Sequence, residues 1–154
     1  MSTRETRIQR VVELRDQRLK MAVRALEEAR LVERHAQAEL TAAQSSRQSA
    51  ERERRQLSQT GAADIRSFIE AEDWLRSRTI EEEMCALRLR QARTQLDKGQ
   101  QRVKEAAIKL RQLELLRERL RKARRAKEAR AERVADDEIG QRAAQSERAR
   151  KGQP

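Results

Sequence analysis

The sequence holds one cysteine, one histidine, one proline and four glycines, lacks tyrosine, and has two aromatic residues, Phe68 and Trp74. Each scarcity removes a class of answer. Cys85 has no partner for an internal disulfide, and with His35 as the only histidine no Cys/His set stands at zinc-ligand spacing. No Gly-rich phosphate loop occurs, so no nucleotide or other cofactor is expected. The aromatics on which single-stranded nucleic acid stacks are missing. No apolar run approaches the length of a membrane span, and residues 1–12 carry charges every few positions instead of a leader's apolar stretch. We therefore expect a cytoplasmic, non-enzymatic protein with no membrane insertion, no catalytic residue and no metal.

What is present is charge and helix-forming residues. Of 154 residues 41% are charged and the net charge is +11, a composition of Ala, Glu, Lys, Leu, Arg and Gln that suits long helices and not a globular core. Such helices stay ordered only when their apolar stripe meets a partner. The stripe is visible. Ile8, Ala22, Ala29, Ala36, Ala43, Ala50 and Leu57 hold one position of a seven-residue repeat, and Val12, Leu19, Leu26 and Leu40 hold the other. A second run places Phe68, Leu75, Leu89, Leu96, Val103 and Leu110 on one position, with Ala71, Cys85, Ala92, Gly99, Ala106, Leu113 and Leu120 on the other.

Between the runs lies Ser58-Gln59-Thr60-Gly61, where Gly61 suits the left-handed residue after a helix and Asp64 suits the cap of the next. The expected fold is all-α: an antiparallel two-helix coiled-coil hairpin with a C-terminal helical overhang. Its boundaries are a helix over about 4–58, a turn over about 59–64 near residue 62 or 63, a helix over about 65–139, and a frayed or disordered tail over 140–154, so that 1–139 form a single unit. About 50 paired residues make a shaft of roughly 75 Å.

In an antiparallel coil, opposing residues share a constant sum of residue numbers. A sum of 125 sets Leu26 opposite Gly99, Ala36 opposite Leu89, Ala50 opposite Leu75 and Leu57 opposite Phe68, so large meets small in nearly every layer. The neighbouring sum of 118 forces Leu57 against Gly61 inside the turn. The chosen register has one poor layer, Arg47 opposite Arg78 beside Glu82, at which the hairpin is expected to bend, fray or break into short helical pieces.

Charge is placed unevenly. Residues 1–20 hold 6 basic and 3 acidic groups and residues 117–134 hold 9 and 3, whereas residues 64–83 hold 3 and 7. The open end is basic and the turn acidic. A basic helix face is compatible with nucleic acid, with plain solvation, or with an acidic opening in another protein; interspersed glutamates argue against a nucleic-acid groove. Phe68 fits the seam and reads as a core residue. Trp74 flanks the seam, as a cover for the layer below or as a binding anchor, and Glu81, Glu82 and Glu83 read as a solvated face.

With these features the chain resembles the FliJ/YscO (SctO) family of type III secretion and flagellar export. The resemblance rests on length, basic charge and two heptad helices, and on two segments. One is the turn region with Gly61, Asp64, Ile65, Phe68, Trp74, Leu75 and Ile80; the other is Asp137-Glu138 followed by Gln141-Arg142-Ala143-Ala144, though two acids before Glu138 and Gly140 depart from the pattern there. The resemblance implies a monomeric central stalk, peripheral at the secretion apparatus on the inner membrane. It implies insertion of the terminal end into the hexameric secretion ATPase, as the γ stalk enters rotary ATPases, and contact with the cytoplasmic domain of the export gate and with export chaperones. Carried over by residue, the gate contacts are Phe68, Trp74 and Leu75. The ring contacts are Arg4, Arg7, Arg10, Arg121, Arg124 and Arg125, chosen from charge. The alternative reading is a basic coiled coil that binds nucleic acid or serves as a structural adaptor.

Overall fold

The computed structural model describes residues 3–61 and 64–152, and the expected turn at 62 or 63 lies outside the described residues. Two helices pack against each other as an antiparallel hairpin: α1, Thr3–Thr60, and α2, Ile65–Lys151. By contacts the chain divides into one unit of Gln17–Ala107 and another of Met1–Asp16 with Ile108–Pro154.

The ends of the helices follow from local chemistry. α1 stops at Gly61, whose φ of 60° is the left-handed conformation that L side chains resist. α2 starts at Asp64. Its carboxylate accepts a hydrogen bond from the Ser67 backbone N–H at 2.8 Å, and its carbonyl accepts from Phe68 N–H at 3.3 Å. The Ser67 side chain and then its backbone N–H hold the Asp64 carboxyl below the usual carboxylate range.

In the Gln17–Ala107 unit the seven-residue stripe is the core. Leu26, Ala36, Ala43 and Ala50 of α1 and Ala71, Cys85, Leu89 and Ala92 of α2 are buried. Ala36, Leu89 and Ala92 form one cluster, with Leu40 packed against it. Leu26 stands over Gly99: a Cβ added at Gly99 meets Leu26 Cδ1 at 3.4 Å and Leu26 Cα at 3.7 Å. That contact is the 125 register. It also defines what Gly99 does, since a methyl just fits there and anything longer displaces Leu26.

Writing the heptad as abcdefg, the a positions are Val12, Leu19, Leu26 and Leu40 in α1 and Phe68, Leu75, Leu89 and Leu96 in α2. The d positions carry the alanines of α1 and Ala71, Cys85, Ala92, Gly99 and Ala106 of α2. In an antiparallel pair the d positions of both helices lie beside their g positions, and the a positions beside e. Large side chains therefore line the e edge of the seam and small ones the g edge.

The layer at Arg47 differs from the expectation. Neither helix is interrupted there. Arg47 pairs with Glu82 across the seam and with Glu51 one turn on, at 3.2 Å. Arg78 turns away to Glu81, at 2.6 Å, and over the Trp74 ring, 4.4 Å from its centroid. Each cation has an anion or a π face, so the charged layer is accommodated without a break, although half-exposed pairs of this kind each contribute only about 0–1 kcal/mol.

The far end of α2 also differs. The helix continues through Gly140 to Lys151, where the sequence leads one to expect fraying from residue 140. Residues 141–151 are Gln, Arg, Ala, Ser, Glu and Lys, mostly good helix formers, against a single glycine that costs about 1 kcal/mol. Arg148, Arg150 and Lys151 in the last turn face the negative end of the helix dipole.

The register is open to direct measurement. In a Cys85→Ala background, Leu26→Cys with Gly99→Cys is expected to oxidise to an intramolecular disulfide, while Leu26→Cys with Ala92→Cys, the 118 register, is not. Gly99→Ala gains helix propensity at a site that accepts its methyl, so the urea midpoint rises, by up to about 1 kcal/mol in stability. Gly99→Leu lowers it, by about 1–3 kcal/mol. For Asp64, whose folded carboxyl is lowered, the cap's stabilisation is fully present above about pH 4 and is lost as pH falls through the folded value. The difference in urea midpoint between wild type and Asp64→Ala is expected to shrink on acidification through that range and to stay constant from pH 5 to 8.

Candidate interaction surfaces

In the unit of Met1–Asp16 with Ile108–Pro154, pairing ends in charge. Val12 and Leu110 are the buried apolar residues, and beyond them the a positions turn polar while Ile8, Leu113 and Leu120 stay half-buried at d. Arg117 donates to Gln9 Oε1 at 2.9 Å, and Arg124 donates to Glu5 Oε2 at 2.7 Å and lies 3.5 Å from Glu128. Glu5 is buried. A buried carboxylate held by a guanidinium closes the seam. Beyond it, all described residues from 130 to 152 are exposed, with no α1 residue opposite them.

This geometry sorts the six arginines. Arg4, Arg7, Arg10, Arg121 and Arg125 are exposed, and none of them forms an ion pair among the described residues. Arg4, Arg7 and Arg10 recur at i, i+3 along α1, and Arg121 and Arg125 at i, i+4 along α2, so each set shares a helix face. Arg124 is half-buried and committed to Glu5, which makes it part of the pairing. The seam roles of Glu5, Arg117 and Arg124 escaped the sequence reading because the stripe was followed only through apolar residues. Continuing the seven-residue steps one or two places, from Val12 back to Glu5 and from Leu110 on to Arg117 and Arg124, lands on all three.

In the unit of Gln17–Ala107, the turn region exposes its aromatics. Phe68 keeps 38% of its surface and Trp74 49%, while Leu75 is half-buried. Phe68 is thus less a core residue than its place on the stripe implies: it is the first a position of α2, at the turn end of the seam. Phe68 and Leu75 are one heptad apart on one face of α2; Trp74, at a g position, stands on the other edge. Trp74 borders an open hollow of about 450 Å³ whose walls include Glu53, Leu57 and Ala71.

Of the acidic run, Glu82 and Glu81 serve Arg47 and Arg78, and Glu83 is left exposed. His35 is exposed and lies 3.1 Å from Glu39, and Cys85 is a buried free thiol of the seam. Among the described residues no group of three His, Cys, Asp or Glu side chains converges as metal ligands, and no helix is long and apolar enough to cross a membrane. The chemistry available at these surfaces is charge, aromatic area and hydrogen bonding.

A family model described as Flagellar FliJ protein matches residues 4–149. No curated protein and no solved structure matches the chain. The match takes in both helices, the capped turn at Asp64 and most of the unpaired end of α2, and on that extent the chain belongs to the FliJ family, structural components of flagellar and type III export.

Proposed function

We propose that this protein is the central stalk of a type III export apparatus, acting in the cytoplasm as a monomer that couples the hexameric secretion ATPase to the export gate. The observation that carries the reading is the basic open end of α2: residues 117–134 hold 9 basic and 3 acidic groups, of which Arg117 and Arg124 bond to α1 while the other seven basic side chains are exposed, and α2 continues past the Glu5–Arg124 pair with no partner helix. An exposed helix rich in unpaired arginine is fitted to an acidic protein opening, where desolvation strengthens each charge pair. Arg4, Arg7 and Arg10 of α1 join Arg121 and Arg125 in that contact, and Arg124 supports it by fixing the end of α1.

A single chain inside a six-fold ring touches only some subunits at a time. It biases the states of those subunits by whatever its affinity differs between them. The acidic turn region, with Phe68, Trp74 and Leu75, is the proposed contact for the cytoplasmic domain of the gate, and the helical surfaces receive export chaperones. Half-exposed aromatics are the side chains that most often dominate such interfaces.

Two measurements test this reading. Deleting residues 125–154 is expected to abolish stimulation of the secretion ATPase while the remaining hairpin keeps its cooperative urea transition; stimulation unchanged by the deletion overturns the ring assignment. Charge reversal at Arg121 and Arg125 together is expected to lower the affinity for the ring by about 10-fold or more at low salt, with a difference that fades as salt is raised. For the gate, Phe68→Ala and Trp74→Ala are each expected to weaken binding of its cytoplasmic domain by about 10-fold or more in calorimetry.

A further inference from the structure

The segregation of large and small residues leaves one edge of the hairpin hollow. Three open hollows lie in the Gln17–Ala107 unit, of about 700, 450 and 320 Å³. All are lined by g positions, Val32, Glu39, Ser46 and Glu53 of α1 and Trp74, Glu81, Arg88 and Gln95 of α2, together with the small d residues behind them. No e position lines any of them. The e edge is where Arg47, Arg54 and Arg93 bridge the helices to Glu82, Glu72 and Glu33. The g edge thus carries a row of hollows from Ala29 to Leu57, over about 42 Å at 1.5 Å per residue, crossed by the exposed Arg88 reaching to 3.9 Å from Glu39.

We propose that this groove seats a third helix, supplied by a partner protein, with large apolar side chains in the hollow at Ala36 and basic residues towards the turn. The proposal goes beyond the assignments to the basic end and to Phe68, and shares only Trp74 with them. The largest hollow is floored by Ala29, Ala36 and Ala92 and walled by Val32, which is 59% exposed. Its charged rim asks for no counter-ion, because Glu39 already lies 3.1 Å from His35 and 3.9 Å from Arg88. An apolar occupant suits it.

At the turn end the hollow beside Trp74 is lined by Glu70, which lies 3.4 Å from Arg66, and by Glu53, which has no ion pair among the described residues. The occupant is basic there. A second copy of this chain fits poorly. Its unpartnered stretch, residues 130–152, contains only Val134 and Ile139 as large apolar side chains, too few to fill the hollows.

The lone tryptophan makes the proposal measurable. The probe is a designed 28-residue helix with leucine at its a and d positions and lysines confined to one end, titrated into the full chain. We expect saturable one-to-one binding in the micromolar range. Energy transfer from Trp74 is expected to a dansyl group on the lysine end and to be several-fold weaker to one on the other end. Val32→Glu and Gln95→Glu, exposed wall positions that put a charge at the apolar hollow, are each expected to weaken binding at least 10-fold. Val23→Glu on the e edge leaves it unchanged.

Absence of saturable binding, equal transfer to the two ends, or indifference to Val32→Glu overturns the proposal. So does a concentration-dependent dimer of the chain alone that Val32→Glu dissolves, since it gives the groove to a second copy. ATPase stimulation is read separately, so failure of the groove and failure of the stalk assignment are distinguishable.

Discussion

Everything in this hairpin depends on one packing constraint: between Gln17 and Ala107 the large apolar residues, Leu57 excepted, keep to one seam position and the small ones to the other. Because an antiparallel pair sets a against d, most layers there hold one large and one small side chain, as Leu26 over Gly99 and Leu89 with Ala36 show. Layers of that composition bring the helix axes close without overfilling the space between them. The same rule makes the two edges unlike. Where the a side chains crowd, the arginines and glutamates of the e edge bridge over them. Where the d side chains are alanine or glycine, Arg88 reaches to 3.9 Å from Glu39 and the edge on either side of that contact stays hollow.

The constraint also explains how charged residues enter the seam at little cost. A guanidinium at an a position lies beside the e edge and can bend its head group to water or to an e carboxylate, as Arg47 does with Glu51. At the open end the rule is used differently. Buried Glu5 and half-buried Arg124 meet as a pair, which holds the start of α1 in place and adds no apolar area of its own to the seam. A pair like this specifies where pairing ends more than it stabilises the pairing. Past it, α2 has lost its reason to attract a second helix within the chain, and its side chains are free for other surfaces.

Much of this was legible in the sequence because a seven-residue step is a statement about geometry. The helices, the register through Gly99, the left-handed Gly61 and the Asp64 cap all followed from spacing and from residue types with a single conformational use. Three features did not. The layer at Arg47 was expected to break the helices, since reading opposed residues alone ignores that Glu51, Glu81 and the Trp74 ring lie one turn away on the same helices. The persistence of helix through Gly140 depends on a sum of small propensities that no single residue announces. The asymmetry of the edges was present in the alanine pattern of both helices, yet it emerges only when the two stripes are placed in one antiparallel frame. Of the proposed contacts, Arg4, Arg7, Arg10, Arg121, Arg125 and Trp74 are exposed, whereas Arg124 is half-buried against Glu5, a difference that net charge does not carry.

A seam of alternating large and small residues is also a thin source of stability. Among the described residues no large side chain is fully buried, and half of the buried apolar residues are alanines, each of which removes little apolar area from water. Helices of this length hold together by the sum of many weak layers, so any surface that adds area to the seam adds a sizeable fraction of the total. Binding at the hollow edge works in that direction: a ligand held only by the folded hairpin stabilises it by about 2.7 kcal/mol at a hundred times its dissociation constant. A chain that left both edges filled would be stiffer when free and would gain less from a partner. By bridging one edge with several ion pairs and the other only loosely, at Glu39 and Arg88, this hairpin keeps its register fixed while the layers at Ala29, Ala36 and Ala92 remain responsive to what lies against them.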